Sequence, residues 1–208
     1  GSEGTLGVIT KIVFKLIPLP QKDISMLVPF KSAEDACKAV SAVFRAGITP
    51  SALEFLERDA IDWALKYSTD QIKVEDDINA HLLIEVDGDD LQNLYSDCEK
   101  ISDVMTEFNC SNILLADTKI EKHRLWKMRR SVGEAVKANS IYKEEDTVVP
   151  RAELPKLLKG VKEIGDKYGF SSVCYGHAGD GNLHINIIKG KMSDIKWNKE
   201  LKFGIREI

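Results

Sequence analysis

Cysteine is scarce in this chain, and no stretch is apolar for long enough to cross a membrane. Only 4 of the 208 residues are cysteine, and they form no CxxC pair and follow no disulfide spacing. Isolated cysteines of this kind are usually buried thiols in a reducing compartment. The sequence also has no signal-peptide pattern. We therefore expect a cytoplasmic protein without a transmembrane segment, which can still bind peripherally to a membrane partner.

An excess of positive charge is also missing. Lys and Arg together number 29 and Asp and Glu 33, which gives a net charge of −4 spread along the chain. Nucleic-acid-binding domains carry clustered basic residues, so we expect no nucleic-acid partner. In contrast, 43% of the residues are hydrophobic. That content is sufficient for a substantial core, arranged as one large domain or two small ones.

Histidine is equally scarce, yet two of the 4 histidines lie in one short segment. Residues 175–186 read YGHAGDGNLHIN, and the central GDGN consists of turn-forming residues. Apolar runs of strand character flank this centre, which predicts a β-hairpin with a loop over 178–183. In such a hairpin His177 and His184 would face each other across the ladder. Strand alternation would place Asn186 on the same face.

Two imidazoles and an amide beside a glycine-lined turn indicate a metal or substrate site. The alternative interpretation is a polar hairpin with surface histidines. A catalytic metal centre usually has three protein ligands, and a carboxylate commonly accompanies two imidazoles. No third histidine or cysteine follows at ligand spacing, and His81 and His123 lie alone in other segments. We expect the third ligand from a distant carboxylate or from beyond Ile208, and we favour the second.

Hydrophobic periodicity predicts an α+β fold made of ferredoxin-like repeats. Residues 24–116 follow the order strand, helix, strand, strand, helix, strand, with one short helix inserted. After a long helix the order restarts but lacks its last strand. We therefore predict a mostly antiparallel sheet with helices on one face, truncated at the C-terminal end. The predicted strands are 8–17, 24–30, 52–56, 82–86, 111–116, 147–149 and the hairpin 171–188; the helices are 32–45, 59–67, 89–108, 119–138, 152–168 and 193–208, and 68–79 is irregular.

The two ends of this pattern resemble a known group of flavoproteins. Residues 1–10, GSEGTLGVIT, look like the last segment of the FAD-binding domain in the vanillyl-alcohol-oxidase type flavoproteins. Residues 21–208 resemble most of their C-terminal cap domain, the FAD-linked oxidase C-terminal domain. The hairpin sequence GHAGDGNLH is very similar to the signature of the 2-hydroxyacid dehydrogenase branch. That branch includes the glycolate oxidase GlcD-type subunit, D-lactate dehydrogenase and D-2-hydroxyglutarate dehydrogenase.

The resemblance implies a role for each matching position. His177 and His184 match two ligands of a divalent metal (Zn, Mn or Fe), and Asn186 matches a polar residue near the substrate. Arg129, in the segment LWKMR, matches an arginine that grips the substrate carboxylate. Lys143 matches a lysine that helps to hold the same acid. From the residues alone, a solvated basic helix face and a surface ion pair are the alternatives for Arg129 and Lys143.

The same resemblance implies a split into domains. Residues 1–20 would be the tail of an FAD-binding domain, and residues 21–208 an incomplete cap domain. The third metal ligand and a catalytic histidine, in a Glu-His-Gly motif, are expected beyond residue 208. Gly133 stands where the family often has a hydroxyl residue. The residues expected to contact FAD are Gly4, Thr5, Gly7, Val8 and Ile9.

The function implied by the resemblance is FAD-dependent oxidation of a small 2-hydroxy acid to a 2-oxo acid. The whole enzyme would pass its electrons to an acceptor or to an iron–sulfur partner subunit, and this chain alone would be inactive. A second hypothesis is a non-catalytic ferredoxin-like module that binds a metal or another ligand. A third is a structural subunit that caps a separate flavin protein.

Overall fold

One sheet of seven strands forms the centre of the protein, of which the computed structural model describes residues 4–67 and 72–208. Every pair of neighbouring strands is antiparallel, in the order β4-β1-β3-β2-β6-β7-β5. The strands are β1 Lys22–Phe30, β2 Ala52–Glu57, β3 Ala80–Gly88, β4 Leu114–Ala116, β5 Tyr142–Val148, β6 Ser171–Gly176 and β7 Asn182–Ile188. The helices are α1 Ala33–Arg45, α2 Arg58–Tyr67, α3 Leu91–Thr106, α4 Lys119–Asn139, α5 Leu154–Tyr168 and α6 Leu201–Ile205.

The strand order confirms the two predicted ferredoxin-like units. The first four strands lie in the order β4-β1-β3-β2. In the second unit β5, β6 and β7 correspond to β1, β2 and β3, and their order β6-β7-β5 matches β2-β3-β1. The units meet edge to edge, where Phe55 pairs with Gly176 and Leu56 with Tyr175. Among the described residues, β5 has only β7 as a partner. The sheet is therefore continuous across both units.

Helices cover both faces of this sheet, so the prediction that they cover one face is wrong. Helices α1, α3 and α5 pack on one side, together with a π-helical turn over Lys196–Glu200. Helices α2 and α4 cover the other side, where Leu27, Leu56 and Leu83 are buried. Strands β1, β2 and β3 carry runs of consecutive buried residues. A strand of this kind needs an apolar layer on each face, which explains the second layer of helices.

The predicted strand over residues 8–17 is also wrong. Within the described residues nothing pairs with this segment, and its apolar side chains are exposed; Val8, Val13 and Leu16 are each more than 80% accessible. Alternation alone does not make a strand, because the backbone groups also need a neighbouring ladder. We call residues 6–19 the N-terminal arm. It precedes β1 and lies outside the sheet.

Several element boundaries differ from the prediction for identifiable reasons. Strand β5 begins at Tyr142 and not at residue 147. Its acidic residues have low strand propensity, so the sequence pattern does not indicate a strand there. They are nevertheless in a strand because they pair in register with β7. The predicted helix from residue 193 consists of the π-helical turn followed by the short α6. Of the region 68–79, residues 68–71 lie outside the described part, as do residues 1–3 of the opening segment.

The expectation of buried cysteines agrees with most of the structure. The Ser32 hydroxyl accepts a hydrogen bond from the Asp35 amide and caps α1. Three of the four free cysteines are buried, and Cys110 is half-buried. Across residues 4–67 and 72–208, no helix is long and apolar enough to cross a membrane.

Candidate active site on the sheet face under helix α4

The turn of the β6–β7 hairpin depends on glycines that approach other backbone atoms closely. Gly181 has φ +75°, and a Cβ added there would lie 1.9 Å from the carbonyl oxygen of Val149. A Cβ added at Gly176 would lie 2.6 Å from the carbonyl oxygen of Asn182. Only glycine fits both positions without moving the backbone. The GDGN segment therefore forms the predicted turn and also joins it to the end of β5.

The hairpin register differs from the prediction by two residues. Tyr175, and not His177, lies directly opposite His184. The amides of Asp180 and Asn182 both donate to the carbonyl oxygen of His177, so the chain turns immediately after this residue. His177 therefore lies diagonally across from His184, with ring centroids 5.9 Å apart. The predicted face is right: His177, His184 and Asn186 all lie on the side covered by α4.

Glu54 joins His177 to helix α4, and the sequence alone did not identify it. Its Oε1 atom lies 2.6 Å from Nδ1 of His177. Its Oε2 atom accepts a hydrogen bond from Nε of Arg129 at 2.8 Å and forms an ion pair with Nη2 at 2.7 Å. Glu54 and Arg129 are 5% and 8% exposed, so this ion pair is almost fully removed from water. The signal that could have found Glu54 is a single charged residue inside the apolar strand ALEFL.

Tyr175 occupies the centre of the site face. The Arg129 Cζ lies 5.1 Å from its ring centroid, and the His184 ring centroid lies 5.2 Å away. The Asn186 amide donates a hydrogen bond at 3.4 Å to the carbonyl oxygen of Val173, and the Asn186 side chain lowers the pKa of the Tyr175 hydroxyl. Burial raises the pKa of Tyr175, and the nearby Glu144 carboxylate raises it further. A Cβ added at Gly133 would lie 3.2 Å from the Tyr175 hydroxyl, so this glycine of α4 leaves space for that hydroxyl.

His184 has a buried nitrogen without a hydrogen-bond partner in the described structure. Its Nδ1 lies 3.3 Å from Oε1 of Glu144 and 3.4 Å from Oδ1 of Asp146, but neither contact has hydrogen-bonding geometry. Both carboxylates come from β5, which pairs with β7. A buried polar atom without a partner is costly and rare. The Nδ1 of His184 is therefore a candidate contact for a further group on this face.

The histidine pair fits a shared metal ion only in part. An ion about 2.1 Å from each nitrogen lies roughly 3.2 Å from each ring centroid, so two rings can share it up to about 6.4 Å apart. The observed 5.9 Å satisfies this limit. However, no group of three or more His, Cys, Asp or Glu residues in the described ranges is placed to hold a metal. The chain supplies two candidate ligands, and a complete site needs another.

The structure does not bring Lys143 to this face. Lys143 pairs in register with Ile187, whose side chain is in the core under α1 and α5. Its ammonium donates to the carbonyl oxygen of Trp197 at 3.0 Å and lies 4.9 Å from that ring's centroid. Alternation along β5 puts Lys143 on the opposite side from Glu144. The predicted contact with the acid bound by Arg129 therefore has no support in this geometry.

The residues predicted to contact FAD lie apart from the sheet. All of them precede β1, at or beside the start of the N-terminal arm, and all are exposed. Gly4 has φ +78°, and there is open space around both Gly4 and Gly7. Their backbone is therefore accessible to another molecule or domain. These residues are Gly4, Thr5, Gly7, Val8 and Ile9.

Comparison with known proteins identifies the family. The model of "FAD linked oxidases, C-terminal domain" matches residues 19–206. A D-lactate dehydrogenase from Anaerostipes hadrus is 34% identical over 97% of this chain and 43% of its own length. Glycolate oxidase subunit GlcD from Bacillus subtilis is 35% identical over 88% of this chain and 39% of its own length. The chain thus spans about two fifths of these relatives.

Solved structures show the same fold at low sequence identity. A substrate-bound p-cresol methylhydroxylase superposes with a TM-score of 0.64 at 14% identity, covering 93% of this chain and 44% of its own. An alkyldihydroxyacetonephosphate synthase superposes with a TM-score of 0.62 at 18% identity, covering 100% of this chain and 43% of its own. With the family match over most of its length, this chain belongs to the FAD-linked oxidases and forms their C-terminal domain.

Proposed function

We propose that this chain is the cap-domain part of an FAD-dependent enzyme that oxidises a small 2-hydroxy acid to the 2-oxo acid. The observation that carries the proposal is the cluster of Arg129, Glu54, Tyr175 and the two hairpin histidines on one sheet face. Relatives named D-lactate dehydrogenase and glycolate oxidase support this substrate class. FAD accepts the two electrons that the oxidation releases.

Arg129 is the residue we assign to the substrate carboxylate. Glu54 occupies the Nε and Nη2 side of the guanidinium. The Nη1 side remains for a second carboxylate, and a planar fork is well suited to hold one. Tyr175 lies beside this group and Asn186 acts on Tyr175, so a hydroxyl and an amide would be available for the rest of the acid. Fixing a small acid at both ends orients its C2 hydrogen, which is the contribution to the rate that this domain makes.

His177 and His184 are the residues we assign to a divalent metal ion. Glu54 holds Nδ1 of His177, which leaves Nε2 of that ring for coordination. The unpartnered Nδ1 of His184 and the 5.9 Å between the rings fit a shared ion. Such an ion, held by His177 and His184, would supply positive charge that lowers the pKa of a substrate hydroxyl. The third ligand and the base that takes the hydroxyl proton would come from outside this chain.

The N-terminal arm is the segment we assign to the flavin domain. We propose that residues 1–20 are the tail of that domain, and that Gly4, Thr5, Gly7, Val8 and Ile9 contact FAD. The exposure of nine large apolar residues between Leu6 and Leu19 supports this, because soluble domains rarely leave so much apolar surface uncovered. We place the whole enzyme in the cytoplasm, since the four cysteines are free thiols. An acceptor protein would remove the electrons.

The test uses the full-length enzyme that contains this chain, with glycolate, D-lactate and D-2-hydroxyglutarate as substrates and a dye as electron acceptor. Arg129→Lys keeps a charge beside Glu54 but loses the fork, so KM for the preferred acid should rise roughly tenfold or more. The matched control is Arg130→Lys, since Arg130 is exposed and lies over the Trp126 ring. Failure to oxidise any 2-hydroxy acid, or equal kinetics of the two variants, would contradict the proposal.

A further inference from the structure

We propose that Glu54 is a positioning residue that sets the orientation of both Arg129 and His177 in the active site. The proposal rests on the function proposed above for those two residues. It concerns a side chain on the first ferredoxin-like unit, whereas the hairpin is on the second. One carboxylate would therefore couple the substrate clamp to a metal ligand across the junction of the two units.

The junction between β2 and β6 explains why Glu54 reaches the hairpin. The strands pair through only two residue pairs, Phe55 with Gly176 and Leu56 with Tyr175. The next pair in this register is Glu54 with His177, at the point where the chain leaves β6 for the turn. Opposite residues in an antiparallel pair have side chains on the same face. The Glu54–His177 contact continues the ladder through side chains at the point where the backbone pairing stops.

The two oxygens of Glu54 have separate partners. Oε2 accepts a hydrogen bond from Nε of Arg129 and lies 2.7 Å from its Nη2, and Oε1 faces Nδ1 of His177. At 5% exposure, the carboxylate has little access to water that could replace either partner. Charge-assisted hydrogen bonds in such surroundings are short and directional. The guanidinium cannot rotate without leaving a buried charge unpaired, and rotation of the imidazole would leave Oε1 of the buried carboxylate without its partner.

This arrangement fixes the chemistry that His177 presents. A carboxylate only accepts hydrogen bonds, so we assign a proton to Nδ1 of His177, which in the neutral tautomer would leave the lone pair on Nε2. The His177 side chain is 54% exposed, so this outer part of the ring is accessible. A histidine with one nitrogen held by a carboxylate and the other facing outward has the arrangement of a metal ligand. Glu54 would select that tautomer before any ion binds.

The same strand provides a matched comparison. Glu57 is also a largely buried carboxylate, and its oxygens lie 2.7 and 2.8 Å from the Lys162 ammonium. Three residues along β2, it points to the opposite face, where it ties α5 to the strand and accepts from the Cys174 amide. Glu57 therefore joins structural elements, and neither of its partners is a site residue. If Glu54 had only that role, the two glutamates would respond alike to substitution.

The first experiment measures the tautomer directly and needs no activity. In the full-length protein with ¹⁵N-labelled histidine, long-range proton–nitrogen spectra should show His177 in the Nδ1–H form. Glu54→Gln should shift this pattern, because the amide cannot accept from both Arg129 and His177. Glu57→Gln should leave it unchanged. An Nε2–H tautomer in the wild type, or an identical pattern in Glu54→Gln, would overturn the proposal.

The second experiment separates positioning from folding by kinetics. Glu54→Gln should lower kcat/KM for the 2-hydroxy acid by roughly tenfold to 100-fold, which is the typical effect of replacing a hydrogen-bond partner of a metal ligand. Glu57→Gln should change it by less than roughly twofold, even if both variants lose stability. Glu54→Asp keeps the charge and should recover part of the loss if Glu54→Gln folds poorly. Equal losses in Glu54→Gln and Glu57→Gln would make Glu54 structural and overturn the proposal. If no 2-hydroxy acid is oxidised, the proposed function fails, while the tautomer spectra still decide the role of Glu54.

Discussion

The buried side chain of His81 makes the stability of the fold depend on pH. It is 4% exposed on β3, and its Nδ1 has no hydrogen-bond partner within the described part of the chain. Burial lowers its pKa from 6.5 to about 4, and the neighbouring Arg58 cation adds to the decrease. The unfolded chain therefore binds more protons than the folded chain below pH 6.5. Stability from this residue is complete above that pH and is lost as the pH falls toward 4.

The substitution His81→Leu should remove this pH dependence. Between about pH 7 and about pH 5, His81 lowers the free energy of unfolding by about 2 kcal/mol, since each unit of pKa shift corresponds to about 1.4 kcal/mol. Urea unfolding at both pH values should show that the free energy of unfolding decreases by about 2 kcal/mol less in His81→Leu than in the wild type. His123→Leu, at an exposed position, is the control and should behave as the wild type. Equal pH dependence in all three proteins would contradict the assignment.

At the residue scale, local sequence predicted the hairpin but not its partners. The GDGN turn and the shared face of His177, His184 and Asn186 follow from turn residues and strand alternation, which act over a few residues. Glu54 was missed because its contacts are 75 residues away at Arg129 and 123 residues away at His177. Such contacts depend on which strands become neighbours. Lys143 was assigned from the resemblance alone, without testing which face of β5 it occupies.

At the element scale, the turn between β6 and β7 is held by one close backbone contact. Gly181→Ala would place a Cβ 1.9 Å from the Val149 carbonyl oxygen, in addition to the strain of a positive φ. We expect a loss of roughly 3 kcal/mol or more in the free energy of unfolding, because the backbone at the end of β5 must move. Thermal and urea unfolding would measure it.

Gly190→Ala is the matched control for that prediction. Gly190 also has a positive φ, +49°, but an added Cβ would meet nothing within 4 Å. Its cost should be limited to the left-handed strain of about 1–2 kcal/mol. If the two alanine variants were equally stable, the contact with Val149 would contribute nothing, and the turn would owe its shape to φ alone.

Element order was more predictable than element extent. The two ferredoxin-like units follow from the alternation of strand and helix patterns, and the sheet order agrees with them. Strand β5 was shortened in the prediction because Glu144, Glu145 and Asp146 are poor strand formers, although the pairing with β7 decides their conformation. The second layer of helices was missed because burial on both faces of β1–β3 depends on tertiary packing. Residues 8–17 have a strand pattern but no ladder to join.

At the scale of the whole molecule, the proposed site would be only part of a flavoenzyme site. The isolated 208-residue chain should neither retain FAD at one equivalent nor oxidise lactate or glycolate. The reason is that its proposed flavin contacts all lie at or beside the start of an exposed arm, without a surrounding domain. Absorbance of the purified chain near the flavin bands measures this. Stoichiometric flavin in the isolated chain would show that the cap domain holds the cofactor by itself.

The most direct test of the proposed site measures metal content and turnover together in the full-length enzyme. His177→Ala and His184→Ala should each lose the metal and at least roughly 100-fold of turnover while keeping flavin, because the cofactor's main contacts would be in the other domain. Asn186→Ala should keep the metal and mainly alter KM, and the exposed His123→Ala should change neither quantity. Elemental analysis and steady-state kinetics give both readouts on the same samples. If both hairpin variants retained metal and activity, the hairpin would be a structural turn and the proposed active site would be wrong.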